Sequence, residues 1–433
     1  MNNPDIVWGL IVLFGSLFFY MMALRLPVFL SMILACATYG LVFPGALPKS
    51  VISSGLVTGI NSTTFVAILF YFLLGELLNN TGLGDRLYDF LRSIIGHIPG
   101  SMSHINVLDS MIFAGVSGSS TADTASLGSI MIPMMKKEGY PAGYAAAITE
   151  VSALIGPIIP PSNGFIMCSL VLGCSVRQLF IGGIIPGILL GVVQLIISYY
   201  MAVKRKFPCS KWGGWRNVLV NFKRGFGALL LPLLTMIFLL FGIGTVVEIG
   251  AISCLIAIIL SIIYGDFTFK GLFRALVNAA ASGARILAII AVSGVFTWII
   301  ASMGVTGAIS TWVSALDATP FVVVGVCMLI FFIGGMLLET VVQHLVIMPM
   351  MVPALLAANV DLIWFAVLAT IVINIGLITP PVGNLIYVTS SIAKCPATQT
   401  IKESLPFLAI MFVLVLILLF FPQIVTFLPN LVG

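Results

Sequence analysis

The sequence predicts an all-α polytopic membrane protein made of two inverted repeats, each with a re-entrant helical hairpin and a broken transmembrane helix. Three observations predict it. The 433 residues are 60% hydrophobic and 8% charged, against about 25% charged in an ordinary soluble domain. Apolar runs of about 20 residues, enough to span a bilayer, follow one another with short polar joints. The chain also makes one unusual break twice: residues 156–164 read GPIIPPSNG and residues 376–384 read GLITPPVGN. Proline lacks a backbone donor and clashes with the preceding turn, so a Pro-Pro pair beside glycine ends or unwinds a helix. In hydrocarbon, unwound backbone persists only where it is buried in protein or lines a cavity. Matching breaks in two halves therefore point to a transporter binding site.

In the first repeat (1–205), unbroken apolar runs predict spans at 5–24, 26–45 and 61–80, with an interfacial arm at 46–60. A polar amphipathic segment follows at 84–97, carrying Asp85, Arg86, Asp89 and Arg92. Residues 101–137 are apolar but interrupted by GVSGSSTADTAS (115–126). That length is too short for two spans and a loop, so it predicts a hairpin whose tip stays inside the membrane, closed by Lys136 and Lys137. The broken helix covers 141–175 and a span covers 178–203. A basic linker at 206–225 leads into the second repeat (226–433). There spans fall at 226–243, 245–264 and 283–303, with an arm at 268–280. A second hairpin at 319–354 is broken at GGMLLET (334–340), a second broken helix covers 361–393, and the last span is 405–429.

The repeats match position by position. Asp123-Thr124 precede Pro133 by the distance at which Glu339-Thr340 precede Pro349, and Gly156 and Pro160-Pro161 correspond to Gly376 and Pro380-Pro381. Each half has four ordinary spans and one broken helix that crosses, an odd total, so the second half is inverted. Charge agrees. With the N-terminus outside, Arg25, the 85–97 segment, Lys136, Lys137, Lys270, Arg274, Lys394 and Lys402 fall inside, as the positive-inside bias requires. Lys204, Arg205, Lys206, Lys211, Arg216, Lys223 and Arg224 join them, with no acid in that interval. Lys49 and Arg177 are the exceptions. Topology thus explains the net charge of +5 without a nucleic-acid partner; the partner is membrane lipid. The scattered cysteines lack a CxxC pair and the histidines lack zinc-ligand spacing, so neither a disulfide framework nor a metal cluster is expected. Asp5 precedes the first apolar run with no basic n-region, which reads as a retained first helix.

At a hairpin tip, helix N-termini favour anions, while C-termini and unwound carbonyls favour cations. Ser117, Ser119, Ser120 and Thr121 add hydroxyl oxygens at the first tip, and Glu339 and Thr340 add oxygens at the second. Thr379 and the carbonyls of the breaks lie across from them. Oxygen ligands with few formal charges suit Na⁺. Asn163 and Asn384, just past each break, are placed to bond a polar solute. Other readings stand beside these. Serine and glycine in membrane helices commonly serve close packing. Asp123 and Glu339 either ligand an ion or cap the second arm of their hairpins. Glu150 and Arg285 read as internal ion-pair or interfacial groups. GVSG (115–118) fits a serine-nucleophile loop with His104 or His344 as base, but an intramembrane hydrolase leaves the serine-free second tip unexplained.

The chain resembles the large membrane subunit of TRAP (tripartite ATP-independent periplasmic) transporters. The resemblance rests on GVSGSSTADTASLGSIMIPMMKKEGY (115–140), GPIIPPS (156–162) and the GGMLLET, MPM and GLITPPVGN elements across 334–384. It implies an elevator-type scaffold and transport domain in a bacterial inner membrane. It also implies Na⁺-coupled uptake of an organic acid from a periplasmic binding protein, with a small four-helix membrane subunit that this chain does not include. Sialic acid and C4-dicarboxylates are the leading solutes; a stand-alone secondary transporter without a binding protein is the alternative. Carried onto this chain, one Na⁺ site draws on Gly115, Ser117, Ser119 and Ser120 with Gly156 and Pro157. The other draws on Gly335, Glu339 and Thr340 with Thr379, Pro380 and Gly383. The solute would then meet Ser119, Ser120, Thr121, Asp123, Pro161, Ser162, Asn163, Thr340, Pro381 and Asn384. The absence of a GxxxxGK[ST] loop accords with ion coupling.

Overall fold

The computed structural model describes residues 4–60, 64–79, 83–305, 307–308, 311 and 319–432, apart from some side chains, those of 113–117 among them. The described residues contain helices and no strand, the expected result where hydrocarbon leaves backbone groups only partners within their own segment. The first half runs α1 (Pro4–Met22), α2 (Val28–Val42), α3 (Lys49–Ile60), α4 (Thr64–Asn79), α5 (Leu83–Ile95), α6 (Ser101–Ser117), α7 (Ser120–Lys137), α8 (Ala142–Ala153), α9 (Asn163–Leu172) and α10 (Val176–Arg205). The second runs α11 (Gly214–Phe241), α12 (Val246–Tyr264), α13 (Phe269–Ser302), α14 (Pro320–Gly335), α15 (Thr340–Ala357), α16 (Leu362–Gly376), α17 (Asn384–Ala393), α18 (Ala397–Phe420) and α19 (Gln423–Val432). Among the described residues, six helices are long and apolar enough to cross a membrane, and shorter apolar helices accompany them. The protein is a multi-pass membrane protein.

Local chemistry sets the helix ends. Thr245 and Glu248 form a reciprocal capping box at the start of α12, satisfying two donors that a helix N-terminus leaves open. Asp361 caps α16 by accepting from the Ile363 and Trp364 amides at 2.8 and 3.0 Å. Ser162 caps α9 by accepting from Phe165 N at 3.2 Å.

Several boundaries differ from the sequence reading. The basic linker is non-helical only over 206–213, because α11 begins at Gly214 and carries Arg216, Lys223 and Arg224 on its first turns. The expected arm at 268–280 is not a separate element. It continues into the following span as the 34-residue α13, since Ala-rich sequence at 275–284 gives the helix no reason to stop. The first hairpin breaks only at 118–119, so TADTAS belongs to α7. The last span splits at Phe421-Pro422 into α18 and α19.

The helices sort into two packing groups. In one, α13 packs on α2, α3 and α4, α12 packs on α4, and α11 packs on α5. In the other, α8 is surrounded by α6, α7, α17 and α18, while α16 packs on α14 and α10 on α6 and α19. Among the described residues, three ion pairs gather the charged joints: Arg86–Asp266 at 2.9 Å, Arg92–Glu138 at 2.8 Å and Arg205–Glu403 at 2.7 Å. Partly exposed pairs contribute at most about 1 kcal/mol each. Their value here is positional, because they link segments that the charge pattern assigns to one side of the membrane.

Candidate functional site

Each hairpin tip lies against a helix break. At the first, Gly118 has a positive φ of 57°, and a Cβ there would sit 2.9 Å from Asn163 N and 3.1 Å from the Pro161 carbonyl. The tip backbone therefore touches the backbone of the 156–162 break, an approach open only to glycine. Behind it, Asp123 is buried within α7, and its carboxylate abuts Gly156. The cap position of α7 is Ser119, four residues earlier, so Asp123 braces the break instead of capping the helix. Ser162 donates to the Pro157 carbonyl, closing the turn on itself.

The second tip repeats the arrangement with different chemistry. A Cβ on Gly376 would lie 2.5 Å from Gly335 Cα, and Gly383 N donates to the Met336 carbonyl at 3.3 Å. Glu339 stands at the cap position of α15 and is exposed. Residues 343–347 of α15 form a π-helical stretch, a geometry frequent at functional sites. His344 there is fully buried. Its Nδ1 faces the Thr340 carbonyl at 2.8 Å and its Nε2 faces Thr370 Oγ1 at 3.2 Å. A carbonyl only accepts, so Nδ1 carries the proton.

The two halves then cross. Ser120 of the first tip donates to Asn374 Oδ1 of α16 at 2.8 Å. Cys168 of α9 lies 3.6 Å from Thr370 Oγ1 of α16. At this crossing is a cavity of about 70 Å³, room for several water-sized groups. Gly118, Ser119, Ser120 and Thr121 line it from the first tip, Pro157 and Asn163 from the first break, Glu339 and Thr340 from the second tip, and Asn374 and Leu377 from beside the second break. Gly164 and Met167 of α9, Val341 of α15, Phe72 of α4 and Ile286 of α13 complete the lining.

Of the residues named from sequence, Ser119, Ser120, Thr121, Pro157, Asn163, Glu339 and Thr340 line this cavity. Asp123, Gly156, Pro161, Ser162 and Gly335 are buried directly behind it. Thr379 bonds back to the Ile375 carbonyl at 2.8 Å, and Gly383 joins the second tip as described. Pro380 sits in the second break, half-buried. Pro381 and Asn384 are exposed and outside the lining, so the cavity's second amide is Asn374, on the near side of the break. The side chain of Ser117 lies outside the described residues, and for Gly115 only the α6 backbone is described. Glu150 is not ion-paired with Arg285. It is fully buried and accepts from Thr389 at 2.8 Å and Ser404 at 2.7 Å.

Sequence reasoning missed Asn374 and Thr370, and it named His344 only as a candidate base. A signal existed for Asn374, the lone amide in IVINIGL two residues before the break, since a polar group in an apolar span needs a partner. His344 faces threonine and backbone, and His104 Nδ1 faces the Gly100 carbonyl at 2.9 Å.

Comparison with known proteins bears on family and fold. The sialic acid TRAP transporter permease protein SiaT of Haemophilus influenzae (strain 86-028NP) is 32% identical over 87% of this chain, which spans 61% of that protein's length. The 2,3-diketo-L-gulonate TRAP transporter large permease protein YiaN of Escherichia coli (strain K12) is 30% identical over 93% of this chain and 95% of its own. The crystal structure of the Alcanivorax borkumensis YdaH transporter superposes with a TM-score of 0.63 at 14% identity, covering 85% of this chain and 87% of that one. That likeness concerns the fold. The family model of the tripartite ATP-independent periplasmic transporter DctM component matches residues 15–424. With two hairpin tips and two broken helices around one cavity, and a family match over nearly its whole length, this chain belongs to the DctM family of TRAP transporter large permeases.

Proposed function

We propose that the chain is the transport subunit of a Na⁺-coupled importer of an organic acid, of the sialic acid or C4-dicarboxylate class, in a bacterial inner membrane. A periplasmic binding protein delivers the solute and a small four-helix membrane subunit completes the complex. The observation that carries this reading is the shared cavity. Hydroxyls from both tips and the amides of Asn163 and Asn374 from beside the breaks face it, and the broken helices leave backbone carbonyls free to hold a cation. The 115–120 loop with 156–162 supplies one Na⁺ site, and 335–340 with 379–383 supplies the other. The group containing α8 and α16 carries the cavity past the group containing α4 and α13, an elevator motion between two groups that each draw on both halves of the chain. The names of the relatives, sialic acid and 2,3-diketo-L-gulonate, support an organic acid as cargo.

The driving force is sufficient. Each net positive charge moved inward gains about 2.3 kcal/mol per 100 mV, so two or more Na⁺ per carboxylate draw on the potential as well as the gradient. Proteoliposomes holding the complex with its binding protein will take up solute only with external Na⁺, and faster at inside-negative potential. Equal uptake in K⁺ medium refutes the coupling, and uptake of free solute at full rate without the binding protein marks a stand-alone secondary transporter.

A further inference from the structure

One arginine runs against the charge pattern of the chain. Arg177 is the second residue of α10, on the outer side, where the positive-inside bias leaves few cations. It also stands in the first turn of a helix, whose positive end disfavours a cation. Two unfavourable placements need an offsetting partner, and the structure supplies one. The half-buried side chain donates from Nε to the Leu239 carbonyl at 3.3 Å and from Nη2 to the Leu240 carbonyl at 2.9 Å. Both carbonyls belong to the last turn of α11, the negative end of that helix, where carbonyls run out of intrahelical donors. The chain then turns away through Gly242, with a φ of 63°. A Cβ on Gly242 would lie 3.0 Å from the guanidinium carbon of Arg177, so the two are in direct contact.

This contact joins the two packing groups. Helix α10 packs chiefly on α6, α16, α18 and α19, whereas α11 packs chiefly on α5 and α12, with a lighter contact to α6. The chain passes from α10 to α11 through 206–213, at the opposite end of α10. At 1.5 Å per residue that joint is about 42 Å from Arg177, so connectivity does not hold the outer ends of the two helices together. The acceptors are neutral carbonyls, and Arg177 is in none of the ion pairs among the described residues. Gly242 and Ile243 beside it are exposed. Bonds of this kind exchange for water without stranding a buried counter-charge.

We propose that Arg177 is a latch between the two groups: it holds α10 on the end of α11 in the arrangement seen here and releases it when the group containing α10 moves. This inference rests on the moving-group reading above. A shift of one helical turn, about 5.4 Å, takes the guanidinium out of hydrogen-bond range of both carbonyls. The arginine fork suits the task, because it spans two successive carbonyls and stays charged throughout. The bonds exist in one arrangement and not in the other, so they bias the balance between the two.

The test uses the complete complex with its binding protein in proteoliposomes, in a Cys209→Ser background. Arg177→Cys and Ile243→Cys are joined by a short reducible bifunctional thiosulfonate. The joined protein is expected to lose uptake of sialic acid and succinate by at least about tenfold, as blocked gating motions do, and to regain it on reduction. Full uptake while joined overturns the latch, because the contact then never opens; failure of the link to form overturns the contact itself. A second arm reads which side the cavity faces, from labelling of Thr121→Cys by an impermeant maleimide in vesicles of each orientation. Arg177→Ala is expected to shift the inside-to-outside labelling ratio by about tenfold, the scale of charge-assisted bonds made in one arrangement only. Gly242→Ala keeps the arginine but sets a methyl against its guanidinium, and should shift the ratio in the same direction; it decides if Arg177→Ala does not insert. An unchanged ratio overturns the latch. A wild-type ratio that neither Na⁺ nor solute alters overturns the moving-group reading itself, a result distinguishable from the others.

Discussion

Glu150 shows what one residue contributes to this site without touching it. Its two oxygens take hydroxyls from Thr389 and Ser404, on α17 and α18. A short amide and hydroxyl network lies next to it, with Asn106 donating to Thr149 at 2.7 Å and accepting from Ser152 at 3.0 Å. These bonds join α8 to helices of both halves. Glu150→Ala removes the carboxylate that joins α8 to Thr389 and Ser404, whose hydroxyls fall back on the Leu385 and Thr400 carbonyls at 3.1 and 3.0 Å; losing two inter-helix hydrogen bonds costs about 1–3 kcal/mol, and a clearly lower midpoint in thermal unfolding of the detergent-solubilised protein is expected. Glu150→Gln keeps an acceptor and the shape, so its midpoint should stay close to wild type. Equal losses in both variants would show that charge, not bonding, is what matters at 150.

At the scale of elements, the decisive feature is backbone lying on backbone. Gly335 and Gly376 touch across the second tip and break, and no side chain there can move aside. Gly376→Ala must therefore separate hairpin from broken helix. The expected outcome is normal abundance in the membrane with uptake reduced by about tenfold or more, as small displacements of a binding constellation do; uptake near wild type would show that the contact is dispensable. Gly15 is the contrast, since a Cβ added there would meet open space, and Gly15→Ala should transport normally. The glycines at the breaks are thus separable from those that merely occupy apolar helices.

For the whole molecule, the charged joints specify orientation. Cys209 is the exposed cysteine among the described residues, and it sits in the basic joint between α10 and α11. A membrane-impermeant maleimide is expected to label it in inside-out vesicles and to leave it unlabelled in right-side-out vesicles. The opposite pattern would reverse the assigned topology. The nearby Arg92–Glu138 and Arg205–Glu403 pairs should tolerate single neutralisation, since half-exposed pairs contribute little.

Much of the fold is legible in the sequence because the bilayer reduces the problem to length and hydropathy. Composition, span positions, the two hairpins and the two Pro-Pro breaks all follow from what hydrocarbon permits a backbone to do. The tip residues Ser119, Ser120 and Thr340 were legible too, since hydroxyls beside a helix break are conspicuous in an apolar chain. The sequence by itself determined that two halves each bring a tip and a break. Only the tertiary structure decided how they meet. It paired Ser120 with Asn374 across 254 residues, buried His344 between Thr340 and Thr370, and left Asn384 exposed while Asn163 lines the cavity. Spans and breaks read along the chain do not fix such pairings, because these arise from which side chains meet when distant segments pack into one volume.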